Sequence, residues 1–132
     1  MVDSKFRDGD TTEMRENHAL IGSDKVEGTK VYRPDGEKIG QVERIMIDKQ
    51  SGKVAYAVMS FGGFLGMGHD HYPLPWSMLN YSEKLGGYEV SISDEQLKGA
   101  PKYSQSESWD WGDRKRHEKL HDYYRVPPYW GI

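Results

Sequence analysis

The sequence predicts a mainly β fold: a small, strongly bent β-barrel or roll of about six strands, with short helical turns and a C-terminal helical tail. Three observations predict it. Short apolar segments with two-residue alternation recur between turn signals. The alternation changes phase inside one strand, as it does where a sheet curls. The end of the chain instead places apolar and aromatic residues at helical spacing.

The first elements form an arm and the start of a hairpin. Residues 1–17 are polar, and we expect a mobile N-terminal arm there. Residues 18–22 are the first apolar cluster and predict a short edge strand. A strand over 29–33 follows, and Pro34-Asp35-Gly36 is a strong turn signal, because proline presets φ and glycine supplies a positive φ.

The partner strand of this hairpin spans residues 38–48. Val42 lies on one of its faces, whereas Ile45 and Ile47 lie on the other. This change of phase predicts a bulge or sharp bend near residues 43–44.

The central strand is predicted over residues 54–61. Its alternating positions are apolar or small on both faces, so both faces are expected to be buried. A buried helix segment is the competing interpretation. The β-branched and aromatic content, together with the flanking Gly52 and Gly62, favours a strand.

The remaining barrel elements are short. In residues 72–75, Tyr72 and Leu74 alternate with two prolines. Because proline has no N–H to donate to a β-ladder, this segment predicts an edge strand or a very short one. Residues 76–79 predict one helical turn, and residues 87–92 a half-buried strand. Ser93 and Gln96 form a capping box, which starts a short helix containing Leu97.

Composition limits the classes of function. The chain has 132 residues, which suits a compact barrel domain, and a net charge of −3, which argues against broad nucleic-acid binding. Cysteine is absent, which removes disulfides, thiol nucleophiles and thiolate metal sites. We expect no cofactor. No apolar segment approaches a membrane span and no signal peptide is evident, so we expect a cytoplasmic protein.

A glycine-rich loop over residues 62–68 follows the central strand. Its three other residues are large and apolar: Phe64, Leu65 and Met67. These side chains must be buried under the loop or against another molecule. A phosphate cradle is the alternative, but the loop lacks the glycine–lysine pattern of a P-loop and no helix start follows it.

Several spaced segments together resemble the PRC-barrel family. They are GTKVYRPDGEKIGQV (28–42), IDKQSGKVAYAV (47–58), GGFLGMG (62–68), PLPWSML (73–79) and LKGAPKY (97–103). The family includes the cytoplasmic barrel of the purple-bacterial photosynthetic reaction-centre H subunit, the C-terminal domain of RimM, and small stand-alone bacterial and archaeal proteins. The resemblance covers roughly residues 18–103, so we assign residues 18–103 to a PRC-barrel domain and 104–132 to a tail.

The resemblance implies a bent PRC-type barrel that acts through protein–protein contacts. Family members share no catalytic residues, so none is carried over to this chain. The chain shows neither the membrane helix of the reaction-centre subunit nor the N-terminal half of RimM. It therefore resembles a stand-alone member.

The tail is rich in aromatic residues, including Trp109, Trp111 and Trp130. A disordered spacer would not concentrate aromatics in this way, so the tail is expected to pack on its own barrel or on that of a second protomer. The spacing predicts a helix over 113–124. One face of this helix combines four residues at i, i+3, i+4 and i+7: His117, Leu120, His121 and Tyr124.

Two histidine pairs are candidate metal ligands. His117-Glu118-x-x-His121 matches the zinc-hydrolase motif, in which Glu118 would be the general base. We favour a chance match, because catalytic zinc needs a third protein ligand that the short remaining sequence does not supply. His69 and His71 share a strand face, and a polar rim to the glycine-rich loop is the favoured interpretation there.

The tail also contains five basic residues among its aromatics: Arg114, Lys115, Arg116, Lys119 and Arg125. They could contact anionic lipid or RNA. Acidic residues are interleaved with them, and mixed-sign helices are usually only solvated.

Taken together, the sequence predicts a non-enzymatic interaction or structural module that self-associates into a homodimer or larger, and that has an unidentified protein partner. The predicted interaction surface is Phe64, Leu65 and Met67, with Trp109, Trp111 and Trp130 as tail anchors. A zinc hydrolase and an anionic-surface module remain the alternatives.

Overall fold

The computed structural model of the protein describes residues 19–61, 70–104 and 108–131. Six strands form one sheet in the order β4-β3-β2-β1-β6-β5. The strands are β1 (Lys30–Tyr32), β2 (Lys38–Ile47), β3 (Val54–Ser60), β4 (His71–Pro75), β5 (Asn80–Ser82) and β6 (Gly87–Glu89). Within the described residues no ladder joins β4 to β5, so the bent sheet is not closed by hydrogen bonds.

The sheet combines a local meander with one long-range pairing. Strands β1 to β4 pair antiparallel in chain order, and β5 pairs antiparallel with β6. Parallel pairing of β1 with β6, Val31 beside Tyr88, joins the two parts. The register between β2 and β3 shifts between Val42 and Arg44, which confirms the predicted bulge.

Strand β3 is central, as predicted. It lies between β2 and β4, and its residues 55–59 are all buried. Strand β4 is an edge strand, also as predicted, and contains Pro73 and Pro75. A single bridge covers part of its outer edge: His71 and Tyr103 exchange two backbone hydrogen bonds, of 2.7 and 3.0 Å.

The prediction of a strand over 18–22 was wrong for the part the structure describes. Residues 19–22 form no strand, and a helical turn, α1 (Ser23–Val26), follows them. Leu20 is 84% exposed, so this apolar cluster is not a buried strand face. Only Val26 of α1 enters the core.

The structure shortens one predicted strand and adds another. The ladder of β6 ends at Glu89, although Val90 and Ile92 are buried as predicted and the Val90 amide donates to the Tyr32 carbonyl. Strand β5 was not predicted. It is a three-residue, largely polar strand that the hairpin pairing with β6 defines.

The predicted helices are present. A 3-10 turn spans Trp76–Met78, and α2 (Asp94–Gly99) begins with a complete capping box between Ser93 and Gln96. Helix α3 (Arg114–Tyr124) begins at the N-cap Asp113, whose carboxylate accepts two backbone N–H groups. Over the described ranges, no helix combines the length and apolar content that a bilayer crossing requires.

Helix α3 packs its predicted face against the barrel. The four buried residues of the helix are the four predicted ones: His117, Leu120, His121 and Tyr124. Leu120 and Tyr124 join the same apolar core as the strands. The helix ends at Arg125, which has a left-handed backbone (φ 57°), and a 3-10 turn over Tyr129–Gly131 follows. The tail therefore extends the core of the barrel.

Candidate functional site

The polar centre of the molecule lies where the tail docks on β3. We call it the tail–barrel seam and define it by Tyr56 from the barrel and Trp111, His117, His121 and Tyr129 from the tail. Tyr56 points toward the tail from the buried part of β3, residues 55–59, and is 1% exposed. The two imidazoles face it because they lie four residues apart, one helical turn, on α3.

One hydroxyl group joins the two imidazoles. The Tyr56 hydroxyl oxygen lies 2.7 Å from His117 Nδ1 and 3.0 Å from His121 Nε2. His117 Nε2 lies 2.7 Å from the Trp111 carbonyl oxygen, which can only accept, so Nε2 carries the proton. The Tyr56 hydroxyl can both donate and accept, so it bonds to one imidazole as the donor and to the other as the acceptor.

Aromatic rings enclose this hydrogen-bonded group. The Tyr56 ring stacks on His117 with centroids 5.3 Å apart and 25° between the planes. Trp111 lies 5.7 Å from Tyr56, and Tyr129 meets it edge-on at 5.6 Å. Trp130 meets His121 edge-on at 5.5 Å. These rings exclude water from the hydroxyl and the imidazoles, which strengthens the hydrogen bonds between them.

The surroundings of Tyr56 and His121 keep these two side chains uncharged. Burial raises the pKa of the Tyr56 hydroxyl well above its usual range, with a smaller contribution from Tyr129. Burial also lowers the pKa of His121, and the neighbouring His117 adds to the decrease. Asp122 and the Pro127 backbone act in the opposite direction but do not reverse it. Tyr56 and His121 are therefore both neutral at pH 7.

The seam geometry favours packing over the zinc-hydrolase interpretation. His117 Nδ1 and His121 Nε2 already share the Tyr56 hydroxyl. Glu118 is exposed, whereas both histidines are buried, so the proposed base does not accompany the proposed ligands. Within the ranges that the structure covers, no third histidine or carboxylate completes a metal site.

The basic residues of the tail partly stack on its own tryptophans. The Arg114 guanidinium lies 4.0 Å from the ring centre of Trp130, and that of Arg116 lies 4.8 Å from Trp109. Trp109 is 8% exposed, and Trp111 and Trp130 are half-buried. The structure thus places the three predicted tail anchors against their own chain; whether they also contact a partner stays a prediction.

The second histidine pair lies only in part within the structure. His69 lies outside the described residues. His71 is half-buried and meets Tyr103 edge-on at 5.2 Å, and its Nδ1 has no hydrogen-bond partner among the described residues. Nearby on the sheet, the Ser60 hydroxyl donates to Glu43 at 2.6 Å and lowers the pKa of that carboxylate. Whether the histidine pair forms a polar rim to the glycine-rich loop stays a prediction, because residues 62–69 lie outside the described residues.

The predicted interaction loop lies outside the described residues, which resume at Asp70. This applies to Phe64, Leu65 and Met67. Their part in an interaction surface therefore stays a prediction. The structure does locate the two ends of this connection, on central β3 and on edge strand β4.

A pocket of about 170 Å³ adjoins the seam on its barrel side. The start of β3, the end of β4 and the last residues of the tail form its walls. Val54 and Pro75 contribute from the barrel, and His121, Pro127 and Tyr129 from the tail. The pocket is therefore complete only when the tail is docked.

Sequence reasoning identified the histidine face but not Tyr56. The sequence analysis describes the strand over 54–61, which includes Tyr56, only as apolar or small on both faces. A signal was present: a strand expected to be buried on both faces contained a tyrosine hydroxyl in its interior, and two imidazoles occupied the apolar face of a distant helix. Because buried polar groups need partners, these three side chains could have been matched.

Comparison with known proteins identifies one family. A family model described as "PRC-barrel domain" matches residues 19–97 of the chain. A search of the curated proteins found no match.

Proposed function

Because the chain belongs to the PRC-barrel domain family, we propose that it is a non-catalytic protein–protein interaction module that associates with itself. The supporting observation is the composition of residues 62–68, which lie in sequence between central β3 and edge strand β4. This glycine-rich segment contains Phe64, Leu65 and Met67. Three large apolar side chains grouped in one short segment are typical of a contact surface.

The tail supports a second route to self-association. Its helix docks on β3 through contacts between residues that are more than sixty positions apart, such as Tyr56 with His117 and His121. If two copies exchanged tails, the same contacts would form between chains. Trp109, Trp111 and Trp130 would then anchor the tail of one copy on the barrel of the other.

The test measures the solution mass by light scattering on a sizing column. We expect the unaltered chain to be a dimer or larger, and the double variant Phe64→Ser/Leu65→Ser to be a monomer. Ile47→Ser is the matched control, because Ile47 is 50% exposed on β2, outside the loop. An unchanged mass in the double variant would contradict the assignment of the loop.

A chain ending at Tyr103 separates the two routes. If this shorter chain is a monomer while the loop variant keeps the assembled mass, the tail is the assembly element and the loop is not. If the unaltered chain is itself a monomer at all concentrations measured, self-association is refuted.

A further inference from the structure

The 170 Å³ pocket beside the tail–barrel seam has the composition of a ligand site. The pairing of β3 with β4 brings together two of its walls, the start of β3 with the turn before it and the end of β4 with the 3-10 turn after it. The docked tail adds the third wall, from His121 to Tyr129. We propose that this pocket binds a small aromatic carboxylate with a single ring. The proposal is independent of self-association and adds a small-molecule site to the module.

The size of the pocket fits one ring. An apolar protein cavity of about 150 Å³ is large enough to hold benzene. The pocket here is of similar size and is partly open to solvent, so a ring can enter with a small substituent at the mouth. A fused-ring or drug-sized molecule would exceed it, since pockets for such ligands span roughly 300 Å³ or more.

The walls favour an aromatic ligand. Trp76 and Tyr129 both line the pocket, and Pro75 and Pro127 supply rigid apolar surface. Both aromatic rings are held by neighbours: Trp76 lies 5.3 Å from Tyr88, and Tyr129 lies 5.6 Å from Tyr56. Rings fixed in this way can stack on a ligand without losing much conformational freedom.

The charge at the mouth favours a carboxylate. Lys53 is the one lining residue with a cationic side chain, is exposed, and has no ion-pair partner within the part of the chain that the structure describes. The carboxylate of nearby Asp48 is engaged within the turn, because its two oxygens accept hydrogen bonds from the Gln50 amide and the Ser51 hydroxyl. His121 contributes a neutral wall, because it is buried against Tyr56 and burial lowers the pKa of its imidazole.

The test uses benzoate as the probe in a two-dimensional NMR titration of the full chain. We expect saturable shifts at the Val54, Ser77 and His121 amides, with a Kd on the order of 1 mM for so small a ligand. Benzylamine, which has the same ring and the opposite charge, is expected to bind about tenfold more weakly, because it loses the attraction of Lys53 and gains a repulsion of similar size. Because the ligand contacts both barrel and tail, benzoate is also expected to raise the melting temperature.

Two variants separate the contributions of charge and of the walls. Lys53→Gln is expected to weaken benzoate binding about threefold, the value of one exposed ion pair, whereas Lys49→Gln on the same turn is expected to have no effect. Ser77→Tyr, at an exposed lining position, fills the pocket and should abolish binding. The absence of saturable benzoate shifts, or equal binding of benzoate and benzylamine, overturns the proposal.

Discussion

The Tyr56 hydroxyl joins the central strand to the tail helix through two hydrogen bonds. It donates to one imidazole and accepts from the other, so a single group satisfies two buried nitrogens. A hydroxyl elsewhere in the same core behaves differently. Tyr124 is 6% exposed, and its hydroxyl has no hydrogen-bond partner among the described residues. The two tyrosines therefore form a natural comparison.

We expect Tyr56→Phe to lower the free energy of unfolding by about 1–3 kcal/mol, because two buried imidazole nitrogens lose their partner. Tyr124→Phe is the control. It removes a buried hydroxyl without a partner, and is expected to be neutral or slightly stabilising. Urea denaturation of both variants, followed by tryptophan fluorescence, measures the difference. Equal effects in the two variants would show that the seam hydrogen bonds contribute nothing.

The lowered pKa of His121 makes the stability depend on pH. In the folded chain this imidazole gains a proton at a lower pH than in the unfolded chain, where the ordinary pKa is about 6.5. Below about pH 6.5 the unfolded state therefore binds more protons than the folded state, and stability falls as the pH decreases. Above that pH the contribution of His121 is fully present.

The measurement compares urea midpoints at pH 7.5 and 5.5, where carboxylates remain ionised. The unaltered chain is expected to lose stability between these values, and His121→Asn to show a clearly smaller loss. His71→Asn, outside the seam, is expected to keep the loss of the unaltered chain. If His121→Asn retained the full pH dependence, another group would be responsible.

At the scale of elements, the helices and strands that could be predicted from the sequence are those with a strong local pattern of apolar residues or capping residues. Helix α3 was predictable because four core-facing residues recur at helical spacing after Asp113, a good N-cap. Strand β5 was not, because Asn80-Tyr81-Ser82 has no apolar alternation and exists through its pairing with β6. The prediction of a strand at residues 19–22 was wrong for the opposite reason: Leu20 and Ile21 are apolar, yet both are exposed.

The close packing of β2 on β3 depends on Gly40. A Cβ at this position would lie 2.1 Å from the Ser60 carbonyl oxygen and 2.9 Å from the Phe61 ring. We expect Gly40→Ala to cost about 3 kcal/mol of unfolding free energy, because backbone must move to admit the methyl group. Urea unfolding measures this cost.

Gly112→Ala is the matched control for Gly40→Ala. The nearest atom to a Cβ there is the Asp110 carboxylate, at 3.4 Å, and an effect within about 0.5 kcal/mol is expected. If the two alanine variants were equally stable, β2 and β3 could separate without cost, and the description of this contact would be wrong.

At the scale of the whole molecule, local patterns could not predict how the parts meet. The family resemblance predicted the PRC-type barrel, and the helical spacing of apolar residues predicted the buried face of α3. Neither indicated that this face meets Tyr56, because the contacts span 61 and 65 positions in the chain. The pairing of β1 with β6 is also long-range, and depends on the curvature of the complete sheet.

The outer edge of β4 has a consequence for aggregation. The His71 N–H points outward, where the Tyr103 carbonyl accepts it. Since N–H groups alternate sides along a strand, positions 73 and 75 also face outward, and both are prolines with no N–H to offer. At these three positions a foreign strand finds one donor occupied and two missing. The protein can therefore be concentrated, or assemble through other surfaces, without this edge seeding a growing intermolecular sheet.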